Sequence, residues 1–272
     1  MTPSLRLSAE QERRLLDATG AQSLTLGDRL QSLWSGYGEI RRVTLQGARC
    51  ERAILKYVLP PEHGGGRAKS PETRSHARKL RSYDVELEFY RRFAVRCDET
   101  CRVPACQHAS RSAGGWLFLL EDLDVAGFSG RRERLRPSEL GPAMQWLAQF
   151  HATFLGARPE GLWKVGTYWH LGTRQDEFAA MAPSVLKTAA QRLDVRLLEA
   201  RHQTLVHGDA KLENFCFSER GSEVAALDFQ YVGRGVGVRD LAYFLGSALS
   251  PAELEAQGDR LLEDYLAALG HA

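Results

Sequence analysis

The chain has 272 residues, 43% of them hydrophobic and 26% charged, with a formal net charge of +2 at pH 7. That length supports one large domain or two lobes with a real core, and the small net charge gives no overall field for binding nucleic acid or a membrane surface. No apolar run approaches the ~20 residues of a membrane span, the start MTPSLRLSAEQERR lacks the apolar segment of a signal peptide, and five cysteines, an odd number, fit reduced thiols better than a disulfide framework; a cytoplasmic location is expected.

Ser8-Ala9-Glu10-Gln11 opens a helix with a capping-box pattern, Leu15 and Leu16 give it an apolar face, and Gly20 can end it. Residues 24–33 are ambiguous in type. Residues 40–45 and 52–58 read as strands. Before the first of these, Ser35, Gly36 and Gly38 form a small-residue turn. It can bring backbone N–H groups close to phosphates or serve as plain strand entry. Lys56 lies inside the apolar run AILKYV, where a charge needs a reason. Residues 60–74, PPEHGGGRAKSPETR, read as a mobile loop, and the basic residues there and at Arg78, Lys79 and Arg81 as a solvated face. Residues 75–96 read as a helix, with Leu80, Tyr83, Leu87 and Tyr90 at helical spacing. Cys97, Cys101, Cys106 and His108 follow at a spacing unusual for zinc and read as a loop leading out of that helix. GWLFLLEDL, residues 115–123, is a buried strand that stops abruptly at Glu121-Asp122.

A polar loop spans residues 125–136. Residues 137–156 read as a long helix with Pro at its start and Gly at its end; Met144, Leu147, Phe150, His151 and Phe154 form its apolar face, with His151 a packed core histidine. The aromatic stretch from Leu162-Trp163 to Tyr168-Trp169-His170 suits either a core or the wall of a cleft. Residues 173–200 read as one or two helices carrying Phe178, Leu186, Leu193, Leu197 and Leu198. Leu205-Val206 then reads as a short strand delivering His207-Gly208-Asp209 into a loop, with Asn214 five residues after the Asp. A loop Asp can orient a hydroxyl and accept its proton, and an Asn at that distance can supply a neutral oxygen ligand for Mg²⁺. Residues 215–217 and 224–227 read as two strands around the turn Glu219-Arg220-Gly221-Ser222. Such a hairpin can return Asp228, of Asp228-Phe229-Gln230, to the neighbourhood of Asn214. Asp240-Leu241-Ala242 stands near the start of a helix over 238–249, and Ser250-Pro251 caps a final helix ending near Gly270.

The series HGD-x4-N, DFQ and DLAYFL, preceded by SYDVELEFY and LLEDL, resembles the choline-kinase-like and ecdysteroid-kinase-like phosphotransferases, relatives of the aminoglycoside phosphotransferases. The DFQ triplet leans toward the ecdysteroid-kinase-like branch. The resemblance implies an α+β, two-lobed protein-kinase-like fold. Its N-lobe, residues 1–123, would hold a small antiparallel sheet and the Glu86 helix, and its C-lobe, residues 124–272, would be mostly helical. It also implies an ATP- and Mg-dependent kinase that transfers the γ-phosphoryl group to a small-molecule hydroxyl acceptor. Asp209 would be catalytic, and Asn214 and Asp228 would hold the metal. Lys56 would bind the α- and β-phosphates, fixed by Glu86; Glu88 is the alternative, which periodicity alone does not separate. Gly36 and Gly38 would line the phosphates, and the backbone of Leu120, Glu121 and Leu123 would carry the adenine. In the resembling families the histidine of HGD buttresses the loop, and the Asp of DLA, here Asp240, bonds back to it. Only Asp176 and Glu177 offer acidity between Trp163 and Val185, which leans against an aminoglycoside acceptor. The alternative is a catalytically inactive pseudokinase acting as a nucleotide-binding or scaffold module. The presence of Lys56, Asp209, Asn214 and Asp228 disfavours it. HGD in place of HRD, together with DFQ, disfavours a protein kinase.

Overall fold

The computed structural model describes residues 6–33, 36–60, 71–112, 115–168 and 170–272, the side chains of 71–74 excepted. The chain divides into two compact units, one made of Met1–Ala94 and Pro104–Ser129, the other of Val95–Val103 and Gly130–Ala272.

The first unit opens with α1 (Ala9–Thr19). Ser8 Oγ accepts from the Gln11 N–H at 3.2 Å, Gln11 Oε1 accepts from the Ser8 N–H at 2.9 Å, and Gly20 closes the helix at φ 68°. Three antiparallel strands follow, β1 (Ser23–Ser32), β2 (Gly38–Gln46) and β3 (Arg52–Val58), then α2 (Pro71–Glu88), continued by a π-helical turn over Phe89–Phe93. The unit ends with β4 (Cys106–Ser112) and β5 (Gly115–Glu121). The strands form one antiparallel sheet in the order β1-β2-β3-β5-β4. Side chains alternate across a strand. Ala53 and Leu55 of β3 therefore join Leu15, Val43, Leu45, Leu117 and Leu119 in a core on one face of the sheet. Lys56 falls on the opposite face and meets α2.

Three details depart from the sequence pattern. The ambiguous stretch 24–33 is most of β1, whose pairing with β2 is interrupted by two irregularities. Cys106 and His108, expected in a loop, instead lie in the edge strand β4 over residues 106–112, where Cys106 pairs with Leu120 and His108 with Leu119. An edge strand with small and polar side chains, CQHASRS, shows no apolar alternation, and polar edges are how sheets resist further pairing. The helix expected to begin at Ser75 begins at Pro71, consistent with proline's preference for the first helical turn. The remainder of the expected mobile loop, residues 61–70, lies outside the described residues.

The second unit contains α3 (Pro137–Thr153), α4 (Gln175–Ala180), α5 (Val185–Glu199), β6 (Thr204–Val206), β7 (Phe215–Phe217), β8 (Val224–Ala226), β9 (Gly233–Gly235), α6 (Val238–Ala248) and α7 (Pro251–His271). Its strands form two short antiparallel ladders, β6 with β9 and β7 with β8. The apolar face of α3 is wholly buried, with Trp146 stacked on Phe150 at 5.1 Å between centroids and set edge-on to Phe215 at 5.5 Å. By contrast α4 and α5 bury no residue, and Leu186, Leu193 and Leu198 are exposed. The α+β class thus holds, with an antiparallel sheet in one unit and a mostly helical second unit. No helix among the described residues is long and apolar enough to cross a membrane.

One buried ion cluster ties the start of α3 to the β7–β8 hairpin. Glu139, with 0% side-chain exposure, accepts from Arg132 Nε at 2.7 Å, from the Arg136 N–H at 2.9 Å and from the Arg136 guanidinium. A Cβ added at Gly221, in the turn between β7 and β8, would lie 2.6 Å from Glu139 Cγ, so the turn rests directly on this carboxylate. Burial pushes the Glu139 carboxyl up, but the bonds from Arg136 and Arg132 outweigh it and bring it down to about 2 from an ordinary 4.5. A depressed carboxyl stabilises the fold above its unfolded value and loses that contribution as pH falls through its folded value. Glu139→Gln should therefore cost about 2 kcal/mol at pH 7. The difference from wild type should shrink as pH falls below 4.5 and vanish near 2. Urea denaturation over that pH range checks it, and a pH-independent difference would contradict the ion-cluster account.

Candidate active site

The loop after β6 is fixed by one carboxylate. Asp240, on the first turn of α6 and 2% exposed, accepts from the His207 N–H at 2.5 Å through Oδ2 and from the Gly208 N–H at 3.0 Å through Oδ1. Oδ2 also accepts from His151 Nε2 at 3.1 Å, and His151 Nδ1 lies 2.8 Å from the Tyr265 hydroxyl. Burial pushes the Asp240 carboxyl up, yet the bond and charge of His151, with a smaller contribution from the Gly208 N–H, hold it below the usual 3.8. Gly208 has φ 81°, and a Cβ there would lie 2.1 Å from the Tyr231 carbonyl oxygen, so only glycine fits.

His207 is buried and uses both ring nitrogens. Nε2 donates to the Leu227 carbonyl at 3.0 Å, which leaves Nδ1 to accept from the Asp209 N–H at 3.3 Å. The ring is thereby held as the neutral Nε2–H tautomer and acts as a strut between two loops.

Asp209 presents its carboxylate from this loop, 7% exposed as a residue. Asn214 closes the loop, donating from Nδ2 to the Asp209 carbonyl at 2.7 Å and to Asp209 Oδ2 at 3.1 Å. Because Nδ2 serves two acceptors, the orientation of the amide is set, and Asn214 Oδ1 is left without a partner among the described residues, as is Asp209 Oδ1. The β7–β8 ladder pairs Phe215 with Ala226, and the Leu227 N–H continues it to the Asn214 carbonyl at 3.0 Å. The next residue is Asp228, which sits at φ 67°, the left-handed region that Asp tolerates better than most residues. Burial is the main reason the Asp209 carboxyl is raised above 3.8; the charge of Lys211 lowers it and that of Asp228 raises it. Asn214 Oδ1 and the carboxylate of Asp228 are oxygen donors of the kind Mg²⁺ prefers, and a divalent cation would relieve the repulsion that Asp228 exerts on Asp209.

Lys211 is the residue the sequence pattern did not single out. Its Nζ lies 3.4 Å from Asp209 Oδ2, and the Lys211 N–H donates to the Asp209 carbonyl at 2.8 Å. The available signal was a lysine two positions after the loop Asp, inside an otherwise apolar and acidic stretch. The aromatics of 162–170 also belong near this loop: the Tyr168 N–H donates to the Gly208 carbonyl at 2.9 Å, Tyr168 and Trp163 flank Tyr231, and Trp163 Nε1 donates to the Gln230 carbonyl at 2.8 Å. Trp169 lies outside the described residues.

In the sheet unit, Lys56 Nζ donates to Glu86 Oε1 at 2.8 Å and Oε2 at 2.7 Å, with both side chains buried and the ammonium 5.9 Å from the ring centroids of Tyr83 and Phe118. Glu88 instead pairs with Arg92 at 2.7 Å. Gly36 lies in the β1–β2 turn at φ 73°. Gly38 opens β2 so close to β3 that a Cβ would lie 2.0 Å from the Tyr57 carbonyl oxygen. Strand packing alone therefore accounts for Gly38; Ser35 lies outside the described residues. After β5, Glu121 exchanges bonds with Ala105, its N–H donating to the Ala105 carbonyl at 2.9 Å and its Oε2 accepting from the Ala105 N–H at 3.0 Å. Asp122 and Asp124 both accept from Arg42 of β2. The Leu120 side chain is buried, and the Leu123 N–H has no partner among the described residues.

The sequence profile of the phosphotransferase enzyme family matches residues 41–272. The chain belongs to that family. No curated protein matches it. Similar solved structures include aminoglycoside phosphotransferase APH(3'')-Id from Streptomyces rimosus, at 17% identity over 92% of this chain and 86% of that one, with a TM-score of 0.48. The same protein in complex with ADP and streptomycin matches at 18% identity over 85% of this chain and 83% of that one, TM-score 0.46. An aminoglycoside-3'-phosphotransferase of type VIII matches at 16% identity over 91% and 86%, TM-score 0.45.

Within this phosphotransferase, replacing Asp240 by Asn leaves one acceptor oxygen where three N–H groups converge and turns an NH₂ toward one of them. Asp240→Asn should cost about 3 kcal/mol of stability, read by urea denaturation at pH 7. A loss below about 1 kcal/mol would show that the carboxylate does not hold the loop.

Proposed function

We propose that the protein transfers the γ-phosphoryl group of ATP to a hydroxyl group of a small molecule, with Mg²⁺. The observation that carries this reading is the joining of Asp209, Asn214 and Asp228 by the loop and hairpin bonds described above. In this reading Asp209 Oδ1 accepts the proton of the acceptor hydroxyl, and Lys211 offsets part of the charge beside it. Asn214 Oδ1 and the Asp228 carboxylate would hold Mg²⁺, which when bound neutralises charge on the phosphate oxygens. Lys56 is assigned the α- and β-phosphates. A buried ion pair such as Lys56–Glu86 adds little net stability, so a functional reason for retaining it is apt. The backbone of Leu120, Glu121 and Leu123 is assigned the adenine, and the free Leu123 N–H supports that. Most of the rate would come from positioning and charge neutralisation. Five thiols, none in a disulfide, fit a reducing, ATP-rich compartment such as the cytoplasm.

For the acceptor, Glu177 is already paired with Arg174 at 2.8 Å, while Trp163, Tyr168 and Tyr231 stand beside the loop. This favours a neutral or monocationic compound with an apolar body over a polycation. A panel of hydroxyl compounds tested for ADP release should show that order; preferential turnover of polyamino sugars would overturn it.

Calorimetric titration of ATP, with and without Mg²⁺, tests the nucleotide site. Wild type should bind ATP in a Mg-dependent manner. Asp228→Asn, which keeps tolerance of the left-handed backbone, should lose most of the Mg dependence. Asp209→Asn should keep ATP binding and lose turnover by at least about 10²-fold. A folded wild type that binds no nucleotide would leave a scaffold member of the family instead.

A further inference from the structure

We propose that a second site, a cavity of about 300 Å³ in the helical unit lined by Arg158, Arg201 and Arg234, binds a small phosphate-bearing anion. The three arginines come from three separate segments: the loop after α3, the connection from α5 to β6, and β9. All three are exposed, and among the described residues none makes a hydrogen bond, ion pair or ring contact through its guanidinium. Other arginines of the same unit are engaged: Arg132 and Arg136 on Glu139, Arg174 on Glu177, Arg239 on Asp194 at 3.4 Å. No carboxylate lines the cavity. Three like charges gathered around one depression repel each other, and an anion seated among them removes that repulsion.

The surrounding backbone is anchored. The Gly156 N–H donates to the Gln203 carbonyl at 2.8 Å, and Gln203 Nε2 donates to the carbonyls of Leu197 and Ala200 at 3.0 Å each. The Arg234 N–H donates to the Trp163 carbonyl at 3.1 Å, and the Arg234 carbonyl accepts from Gly166 at 2.8 Å. The Cα positions of the arginines are thus preset, and binding need order only the side chains. Guanidinium groups match phosphate oxygens in bidentate fashion. A phosphate monoester, near −2 at pH 7, balances three guanidinium groups better than a single carboxylate. The volume is at the lower end for ligand cavities, which suits a small molecule. The cavity adjoins the Thr204 end of the β6–β9 ladder, whereas Asp209 follows its Val206 end, so this site is distinct from the loop that carries Asp209.

The test is calorimetric titration of inorganic phosphate and of glycerol 3-phosphate at fixed ionic strength, into wild type, Arg201→Gln, Arg234→Gln and Lys56→Met. Both probes should bind wild type. Each arginine variant should weaken binding about tenfold, Lys56→Met should leave it unchanged, and added NaCl should weaken it. All three variants can be checked for intact folding by circular dichroism, and Arg158→Gln stands in for an arginine variant that fails. Equal binding by wild type and the arginine variants would overturn the site. So would loss in Lys56→Met alone, which would assign the phosphate to the nucleotide site. Binding to vesicles containing phosphatidic acid, without binding of either soluble probe, would overturn the small-molecule assignment.

Discussion

The Asp240 carboxylate is the constraint on which the helical unit's chemistry rests. It is buried, and it accepts from two consecutive loop N–H groups and one imidazole. A buried anion without such donors would be protonated or would unfold its surroundings. Here the donors come from the end of β6 and from α3, and Tyr265 of α7 completes the chain through His151. A single charge therefore sets the mutual position of four elements. It also dictates the sequence around it: position 208 must be glycine because the Tyr231 carbonyl closes on it, and position 207 must offer a donor to Leu227 and an acceptor to Asp209.

The second constraint is the register of the β7–β8 hairpin. Its three-residue ladder ends with the bond from Leu227 to Asn214, so the residue after Leu227 emerges beside Asn214. Slipping the register by one residue would exchange the faces of all its side chains and withdraw Asp228 from the loop. The left-handed backbone at Asp228 costs roughly 1 kcal/mol. It persists because the ladder on one side and the buried Phe229 on the other leave no alternative path. Glu139 beneath Gly221 reinforces the turn from the far end, which links a helix N-terminus to a hairpin that carries a candidate metal ligand.

Much of this was legible in the residues because local rules agreed with the fold. Ser8 with Gln11, Pro137, and Ser250-Pro251 mark helix starts that the structure contains, and the apolar face of α3 follows helical spacing. The HGD, DFQ and DLA triplets pointed to phosphotransferases, and the chain belongs to the phosphotransferase enzyme family. Legibility failed where tertiary context alone decides. The edge strand β4 has no alternation, and β9, with the sequence Gly-Arg-Gly, has no strand propensity and pairs only because β6 lies alongside. Periodicity left Glu86 and Glu88 equivalent, since only the position of β3 against α2 separates them. Gly38 resembled a phosphate-loop residue, yet its crowding against Tyr57 is reason enough for it. Lys211, one lysine in a loop, carries no pattern of its own.

That lysine bears on the charge balance of the loop. Asp209 and Asp228 contribute two negative charges to a buried region, His207 is neutral by its bonding, and Asp240 is satisfied by its own donors. Lys211 leaves the loop short of neutrality by about one charge before any ligand arrives. A divalent cation would overshoot to about one positive charge, which is the sign needed to receive phosphate oxygens. Without Lys211, cation and carboxylates would cancel, and the loop would offer phosphate no attraction of its own. Its charge also lowers the Asp209 carboxyl, partly offsetting the larger upward push of burial and that of Asp228. One half-buried lysine thus favours both requirements of the proposed chemistry, an ionised base and a locally positive surface, which the two proposed metal ligands cannot supply together.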